Sequence, residues 1–244
     1  MQTQRFRIAT YNIHKGRGID GRVRIERIAQ VLEDINADVV ALQEVVNHDN
    51  RDKEEHQACY LADRLGYHWT VGETRRHRGG VYGNVTLSRW NFEASRHVDL
   101  SVPNREPRGA LRTDIQVGSH LLHIFNVHLG TAVRERTKQA QLIDRHLIQA
   151  MDISGHRVVL GDFNDWNHGL VTSKLSAEFH LNDIRDHVKR TRAYPALLPL
   201  LHLDHIYLDH HIRIETAFFH RTRRSLLASD HLPLVTDVAI AQHR

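Results

Sequence analysis

The chain has 244 residues, with 33 Lys and Arg against 29 Asp and Glu, 21 His and a single Cys. Its 41% hydrophobic and 25% charged residues are ordinary for soluble globular proteins, which excludes the disordered and fibrous classes. The formal net charge of +4 favours polyanionic partners only weakly, and the lone Cys59 excludes both an intramolecular disulfide and a cysteine zinc site.

Apolar periodicity predicts helices and strands from one end of the chain to the other. A first helix is predicted over Val23–Asn36, and a buried strand follows at Asp38–Leu42. Two more helices are predicted, at Glu54–Leu65 and Ala132–Met151. The remaining predicted strands are Asn84–Ser88, Ala110–Val117, Leu121–Val127, Arg157–Leu160, Leu203–Leu208, Ile212–Phe218 and Leu234–Ile240.

Turns and the lack of linkers predict how these elements are organised. Gly118-Ser119-His120 and Asp209-His210-His211 each separate adjacent strands, which predicts two antiparallel hairpins. Other strands are joined through helices, so a mixed sheet system covered by helices is expected, in the α/β or α+β class. No Gly/Ser-rich or Pro-rich linker interrupts the chain, and residues 1–244 are predicted to form one domain.

The ends of the chain and its apolar runs bear on location. The amino-terminal sequence MQTQRFRIATYNIHKG lacks the apolar stretch of a secretory signal, and no apolar run approaches the roughly 18 residues that a membrane span needs. We therefore expect a cytoplasmic protein without a transmembrane segment.

Acidic, amide and histidine residues recur directly after the predicted buried strands. One such residue alone is usually a turn residue or a cap, because Asp and Asn favour turns. Six clusters together indicate function, since the ends of strands in such sheets are where a rigid scaffold presents reactive groups. The clusters are Asn12, Glu44, Asn126-Val127-His128, Asp162 with Asn164, Asp204-His205 and Ser229-Asp230-His231.

The chemistry of these residues points to a hard metal ion. Glu44 and Asp230 are oxygen ligands of the kind that Mg²⁺ or Mn²⁺ prefers, and Asn12 could add a neutral ligand or orient one. Such ions need only one or two carboxylates, because they keep several waters and take the rest from a phosphate substrate.

The histidines supply groups for proton transfer. His128 and His231 could transfer protons or stabilise developing negative charge, and Asp204 could orient His231 as the third member of a catalytic triad does. Asn164 offers an amide donor to a phosphoryl oxygen. The set predicts metal-assisted attack of water on a phosphorus ester.

With these residues in place, the chain resembles the endonuclease/exonuclease/phosphatase family, which includes pancreatic-type deoxyribonucleases, abasic-site endonucleases, sphingomyelinases and inositol-phosphate 5-phosphatases. The Asn12–Gly16 segment is similar to the small bacterial branch of that family. The resemblance rests on seven short segments in order, Ala9-Thr10-Tyr11-Asn12, Leu42-Gln43-Glu44-Val45, Gly83-Asn84-Val85-Thr86-Leu87-Ser88, Asn126-Val127-His128-Leu129, Gly161-Asp162-Phe163-Asn164, Leu203-Asp204-His205-Ile206 and Ser229-Asp230-His231-Leu232-Pro233.

The resemblance implies a DNase I-like fold, a four-layer sandwich of two mixed β-sheets packed face to face with helices outside. It implies that Glu44 is the main Mg²⁺ ligand, with Asn12 and Asp230 near the metal. It further implies that the pair Asp162 and Asn164 positions or activates water and binds the scissile phosphate. It also implies that Asp204 pairs with His231, and that His128 stabilises the developing negative charge or donates a proton. The resemblance leaves two candidates for the general base, the His231–Asp204 pair and Asp162. It also leaves open whether one or two metal ions act.

Several arginines and one asparagine are candidates for phosphate contact. By the same resemblance, Asn84 and either Arg105 or Arg108 would contact the substrate phosphate, although a solvated surface arginine is an equal alternative for each. Two basic loops are also expected, and a charged flexible loop is the alternative to a phosphate-attracting rim for both. Their members are Arg75, Arg76 and Arg78, and Arg221, Arg223 and Arg224.

A zinc site is not expected. His202 and His205 would point to opposite faces of an extended strand, and no HExxH pattern is present. Trp166 is the best candidate among the tryptophans to touch substrate. His14 and Lys15 are open between a phosphate contact and a role in the turn.

The sequence therefore predicts a Mg²⁺-dependent phosphodiesterase, with Mn²⁺ able to substitute. Nucleic acid is the first predicted substrate, because basic loops complement its charged backbone. A phospholipid or small-molecule phosphate ester is the alternative within the same chemistry, and a non-catalytic protein that binds phosphate esters is the alternative from a different class. No protein partner is predicted.

Overall fold

A computed structural model describes residues 3–48, 56–77, 79–145, 153–166 and 169–241. The strands are β1 (Thr3–Asn12), β2 (Val39–Asn47), β3 (His68–His77), β4 (Gly80–Ser88), β5 (Phe92–Asp99), β6 (Gly109–Val117), β7 (His120–His128), β8 (His156–Asp162), β9 (Asn182–Asp183), β10 (Asp204–Leu208), β11 (Ile212–Phe219) and β12 (Leu234–Ala241). The helices are α1 (Ile25–Ile35), α2 (Gln57–Leu65), α3 (Val133–Ile143), α4 (Leu170–Ser173) and α5 (Arg223–Ala228), with 3₁₀ turns at His14–Gly16 and Ile184–His187 and a π turn at Lys174–Glu178.

The strands form two mixed six-stranded sheets. The first sheet has the order β11-β12-β1-β2-β4-β3, and the second has the order β5-β6-β7-β8-β10-β9. Each contains one parallel pair at its centre, β1 with β2 and β7 with β8, and its other pairs are antiparallel. We call the end of the two sheets at which β1, β2, β7 and β8 finish the site end.

The two sheets pack face to face on an apolar core. Alternate residues of each central strand point inward, since side chains on a strand alternate between faces. Phe6 and Ile8 of the first sheet, with Ile124 and Leu160 of the second, are buried in one cluster between the sheets. The intervening residues face the outer layers, so the central strands are buried on both faces and are apolar almost throughout.

Helices cover the outer faces. The buried stripe of α1, whose members include Ile28 and Leu32, packs with α2 against the first sheet. Ala140 and Ile143 of α3 pack with Val171 of α4 against the second sheet. The order helix, sheet, sheet, helix confirms the four-layer sandwich. No helix among the residues described is long and apolar enough to cross a bilayer.

The predicted hairpin at Asp209-His210-His211 is wrong. β10 pairs with β8 and β9 in the second sheet, whereas β11 pairs with β12 in the first. The chain therefore crosses between sheets at this turn, and Leu208 and Ile212 on its two sides both contribute to the core between the sheets. The hairpin at Gly118-Ser119-His120 is confirmed, because β6 and β7 pair as antiparallel neighbours there.

Other predicted boundaries also change. The helix predicted at Ala132–Met151 begins at Val133, and residues 146–152 lie outside those described. Residues 54–55 of the helix predicted at Glu54–Leu65 also lie outside them, and α2 begins at Gln57. The sequence did not predict β3 and β5, whose side chains are largely exposed or half-buried.

The two predicted basic loops are in part regular structure. Arg75 and Arg76 lie in β3, and Arg223 and Arg224 lie in α5, whereas Arg221 precedes that helix, so neither set is wholly the basic loop that was expected. The physical reason is local pairing, because β3 continues alongside β4 to His77 and α5 begins with a Thr222 capping box. Position 78 falls outside the described residues.

Candidate active site

The predicted residues meet at the site end of the two sheets. Asn12, His128 and Asp162 are the last residues of β1, β7 and β8. Asp204 begins β10 directly opposite Asp162 in the antiparallel register. His231 precedes β12, which runs antiparallel to β1 and so starts at the same end. The sheet order alone brings these side chains together.

Asn12 joins the two sheets within the site. Its Nδ2 donates to Glu44 Oε1 at 3.3 Å, within the first sheet, and to Asp162 Oδ2 at 3.0 Å, in the second. Its Oδ1 accepts from the backbone N–H of His14 at 3.0 Å, and its backbone oxygen accepts from Ser229 Oγ at 2.8 Å. Every polar group of this buried residue outside the strand ladder is therefore used to fix the site.

Glu44 reaches the site through a β-bulge. The register of β2 against β4 shifts between Leu42 and Val45, and Glu44 has a φ of 57°, in the left-handed region. Its Oε2 accepts from Lys15 Nζ at 2.5 Å. Burial raises the pKa of Glu44, but the neighbouring His128 and Lys15 outweigh burial and lower that pKa to about 2. The carboxylate is therefore ionised at neutral pH.

Asp162 lies between the two histidines. Its Oδ2 is 3.7 Å from His128 Nε2 and 3.7 Å from His231 Nε2. Its Oδ1 accepts from the backbone N–H of Asn164 at 2.9 Å, while the Asn164 side chain donates to the backbone oxygen of Leu129 at 2.9 Å. Burial raises the pKa of Asp162 against the lowering effect of both histidines.

His231 and Asp204 form the predicted pair. Asp204 Oδ2 is 2.8 Å from His231 Nδ1, and both side chains are buried. Burial lowers the pKa of His231, but the carboxylates of Asp204 and Asp162 together have the larger, opposite effect and raise that pKa to about 10. The imidazole is thus a cation at neutral pH, held at Nδ1 with Nε2 directed toward Asp162.

Arg108 faces His128 on the other side of the site. Its Nη1 lies 3.1 Å from His128 Nε2, and its Nη2 donates to Glu106 Oε2 at 2.9 Å. Arg75 donates to the other oxygen of Glu106 at 3.2 Å. Burial, with the Arg108 guanidinium, lowers the pKa of His128 to about 4. The carboxylate of Glu106 therefore lies between the guanidinium groups of Arg75 and Arg108.

Asp230 and two neighbours complete the site. Asp230 Oδ1 is 3.3 Å from His14 Nδ1; burial raises the pKa of Asp230, but His14 and His231 lower it overall. The sequence leaves His14 and Lys15 open between a phosphate contact and a role in the turn, and it does not indicate their pairing with Asp230 and Glu44. Their φ values of 45° and 61° turn the chain back over the site, and such a turn leaves no periodic signal in the sequence.

Tyr194 is a site residue that the sequence did not indicate. Its ring centroid lies 4.6 Å from that of His231, with an interplanar angle of 48°. Burial raises the pKa of Tyr194, and Asp230 and Asp162 raise it further, so the phenol is neutral at neutral pH. Tyr194 belongs to an irregular segment before Pro195, where no apolar period marks its direction.

The other predicted contacts lie in different surroundings. Asn84 is buried between the sheets, where its Nδ2 donates to the backbone oxygens of Gly109 and Asn126 at 3.0 Å each. Arg105 is exposed in the turn before β6, and Trp166 is 57% exposed after β8.

The expectation that His202 and His205 point apart is wrong. Their ring centroids are 4.4 Å apart in an edge-to-face contact, because β10 begins only at Asp204 and residue 202 is not in the strand. They are not part of a larger set of potential metal ligands among the described residues. Two such sets occur there, Asp162 with Asp204 and His231, all buried, and Asp209 with His210 and His211 in the crossing turn.

A comparison with protein families decides the relationship that the geometry suggests. A model described as the Endonuclease/Exonuclease/phosphatase family matches residues 9–231. The chain belongs to this family. The Escherichia coli protein YbhP is 32% identical over 253 residues, which cover 97% of this chain and 98% of YbhP.

Solved structures of family members share the fold. An endonuclease/exonuclease/phosphatase from Beutenbergia cavernae is similar with a TM-score of 0.78 and 24% identity, over 98% of this chain and 72% of that one. The Bacteroides thetaiotaomicron mannosyl-6-phosphatase is similar with a TM-score of 0.74 and 17% identity, over 96% of this chain and 99% of that one. These similarities confirm the two-sheet architecture of the family.

Proposed function

We propose that the protein is a Mg²⁺-dependent phosphodiesterase that directs in-line attack of water on phosphorus. The contact of Asn12 with both Glu44 and Asp162 carries this proposal, because it links a carboxylate of each sheet at one point. His128 and His231 flank that point, and Arg108 approaches from the side of His128. Acidic, cationic and amide groups around one opening are what hydrolysis of a phosphate ester requires.

The donor set fits a hard divalent cation. Glu44 and Asp230 are carboxylates whose pKa values are lowered, so both offer charged oxygens at neutral pH. With Asn12 they would hold the Mg²⁺ ion, and Mn²⁺ would substitute because it takes the same oxygen ligands. When bound, the ion supplies charge stabilisation to a phosphoryl oxygen and lowers the pKa of a bound water.

The protein's own residues position the reacting groups. Asp162 and Asn164, fixed to each other through the Asn164 N–H, orient the attacking water and a phosphate oxygen. Asp204 holds His231 through Nδ1, so that Nε2 faces the reacting oxygens and exchanges a proton with them. Arg108 donates to the phosphate from the opposite side.

The arginines bear on the choice of substrate. Arg75, Arg76 and Arg224 lie within ion-pair distance of Glu106, Glu73 and Asp34, at 3.2, 3.0 and 2.9 Å. Their positive charge is thus largely balanced locally, which weakens the argument for nucleic acid that the basic loops supplied. A phosphoric diester remains the proposed substrate class. The mannosyl-6-phosphatase with this fold supports hydrolysis of a phosphate ester.

Hydrolysis of bis-p-nitrophenyl phosphate tests the proposed function. With Mg²⁺ or Mn²⁺ added, wild type should turn over this substrate, and Glu44→Gln should lose about 100-fold or more of kcat/KM, because the variant lacks the main charged ligand. Exposed Glu93 in β5 provides a matched control, and Glu93→Gln should retain the wild-type rate. Calorimetric titration with Mn²⁺ alone should show weaker binding to Glu44→Gln. Equal rates in wild type and Glu44→Gln would contradict the proposal.

A further inference from the structure

A short loop stands directly beside the active site. We call residues 194–201 the leucine loop, after its sequence Tyr-Pro-Ala-Leu-Leu-Pro-Leu-Leu. Its two ends are paired, since Tyr194 N donates to Leu201 O at 3.1 Å and Leu201 N donates to Tyr194 O at 2.8 Å. The loop is therefore closed at its base and projects its middle residues outward.

The loop is anchored to catalytic residues. Tyr194 packs on the His231 ring, and Ala196 N donates to the backbone oxygen of Asp230 at 2.7 Å. Arg221 Nη1 donates to the backbone oxygen of Ala196 at 2.8 Å. The tip that follows Ala196 is thus held at the opening of the active site.

The tip exposes three leucines to solvent. Leu197, Leu198 and Leu200 are 60%, 67% and 55% exposed. Clustered exposed apolar side chains are unfavourable in water and mark surfaces that bind something apolar. Nothing in the loop's own contacts requires leucine at these positions, because the anchoring bonds come from backbone atoms and Tyr194.

Other exposed apolar side chains lie at the same end of the molecule. Each is in a connection that begins or ends at the site end, after β1, β7 or β8 or before β12. Trp69 is the exception among the described residues, because β3 runs parallel to β2 and starts at the opposite end. The members are Ile19, Val23, Val133, Trp166 and Leu227, which are 42%, 64%, 56%, 57% and 37% exposed.

Basic residues flank the leucine loop. Lys189, Arg190 and Arg192 precede it and are exposed. They line, with Arg221, a groove of about 760 Å³ whose one acidic member is Glu215. The apolar part of the groove wall is formed by Val188, Pro199, Ala217, Phe218, Phe219 and Leu232. An apolar wall with a cationic rim suits an amphiphile with an anionic head group.

We propose that the leucine loop docks the protein on a bilayer that contains anionic phospholipid. Leucines that enter the acyl region beside cations that meet the head groups are the combination that gives interfacial binding without a membrane span. A nucleic acid would use the cations but would leave the leucines in water. Docking through this loop would present head-group phosphates to Asp162 and His231. That last step, a phospholipid as substrate, rests on the proposed function, whereas docking does not.

Vesicle flotation tests the docking. Wild type should bind vesicles of equal parts phosphatidylcholine and phosphatidylglycerol, and should bind vesicles of phosphatidylcholine alone much less. Leu197→Ser with Leu198→Ser should weaken binding about tenfold or more, because two leucines no longer leave water. Trp69→Ser is the matched control at the opposite end and should bind as wild type does.

The contribution of the basic residues to vesicle binding is tested separately. Arg190→Gln should weaken binding to the mixed vesicles about fivefold, as expected for one cation near an anionic surface. Arg96→Gln, an exposed arginine in the middle of β5, carries the same change in net charge and should have little effect. Added salt should weaken binding of wild type and should reduce the difference between the two variants.

Turnover of bis-p-nitrophenyl phosphate separates the two proposals. The leucine double variant should keep the wild-type rate on this soluble substrate, since its changed residues lie outside the catalytic groups. The docking would be overturned if wild type did not bind vesicles, or if the double variant bound them as well as wild type does. Turnover of the soluble diester in the same samples would still support the proposed enzyme. Binding to duplex DNA but not to vesicles would overturn the docking too. Vesicle binding without turnover of any diester would instead overturn the proposed function.

Discussion

The charged side chains of the site are each held by a partner from a distant part of the chain. Lys15 faces Glu44, Asp204 faces His231, and His14 faces Asp230. Removing a charge from water without such a partner costs several kcal/mol, so these pairs make burial of the site tolerable. The pairs also set the direction of each side chain, and the reactive atoms point toward one opening as a result.

Replacing the partner of His231 should separate catalysis from folding. We expect Asp204→Asn to keep the fold and to lose about 10²–10⁴-fold in kcat, because an amide has no negative charge to stabilise the imidazolium that Asp204 holds. Steady-state kinetics with a thermal melt of the same sample measures both effects.

Asp209 supplies the matched control for that prediction. It is also a buried carboxylate, it follows the opposite end of the same strand, and it lies 3.8 Å from Arg157 instead of a site residue. Asp209→Asn should therefore leave kcat within a few-fold of wild type while it lowers stability. Similar rates in Asp204→Asn and wild type would show that His231 does not depend on this carboxylate.

Position after a buried strand identified the site residues that the structure brings together. Asn12, Glu44, Asp162 and Asp204 each stand next to an apolar run, and that proximity is a local property of the sequence. Tyr194 could not be identified in this way, because its place over His231 depends on an irregular loop and on contacts between residues 37 positions apart. Local patterns do not encode such contacts.

At the scale of elements, the end of β8, at Gly161, lies in close backbone contact with β7. Gly161 has a φ of 144°, and a Cβ added there would lie 1.9 Å from the backbone oxygen of Val127 in the neighbouring strand. Only glycine permits this approach, and it places Asp162 immediately after a close backbone contact with β7.

Gly161→Ala should therefore destabilise the protein by about 2–5 kcal/mol, from backbone strain together with the clash against β7. Urea unfolding followed by circular dichroism measures the change. Gly66 also has a positive φ, 69°, but a Cβ there would meet no atom within 4 Å. Gly66→Ala should cost only about 1 kcal/mol, and equal losses in the two variants would contradict the importance of the β7 contact.

Helices and strands were predictable where a buried face requires apolar residues at regular spacing in the sequence. The apolar stripe of α1 and the continuous apolar run of β2 each matched a predicted element. β3 and β5 gave no such pattern, because they are the outer neighbours of β4 and β6 and carry many exposed polar residues. The crossing at Asp209–His211 was missed because a short polar turn looks the same whether the next strand joins the same sheet or the opposite one.

At the scale of the whole molecule, one arginine connects two strands of the first sheet with the helix that covers them. Arg7 of β1 donates to Asp237 of β12 at 2.7 Å and to the backbone oxygen of Ile35 at the end of α1 at 2.8 Å. The hydrogen bond from Arg7 lowers the pKa of Asp237 below its ordinary value. The folded state therefore favours the ionised carboxylate more than the unfolded chain does.

The lowered pKa of Asp237 determines how the stability gained from this ion pair changes with pH. A carboxylate with a lowered pKa adds stability above its unfolded pKa of about 3.9, and the gain is lost as pH falls through the folded value. Asp237→Asn should cost about 1–2 kcal/mol in urea unfolding at neutral pH, and the difference from wild type should shrink on acidification below about pH 4. A gap that widened in acid would contradict the pairing of Asp237 with Arg7.

The partition of strands into two sheets is the least local property of the fold. Nothing in the composition of β8 or β10 indicates that they lie in a different sheet from β12, and the resemblance to the family, carried by ordered motifs, was the guide to it. Strand pairing across long stretches of sequence decides this partition, and short-range patterns are insensitive to it.

The place of β12 beside β1 has a consequence for biosynthesis. β1 is translated long before β12, yet one of its two edges pairs with β12, which follows every other described strand in the chain. Ser229 and His231, which complete the site around Asn12, enter only just ahead of β12. A nascent chain thus carries Glu44, His128 and Asp162 long before it carries His231, which lies 3.7 Å from Asp162 in the folded protein. The candidate active site therefore cannot be complete until β12 has been synthesised and has paired with β1.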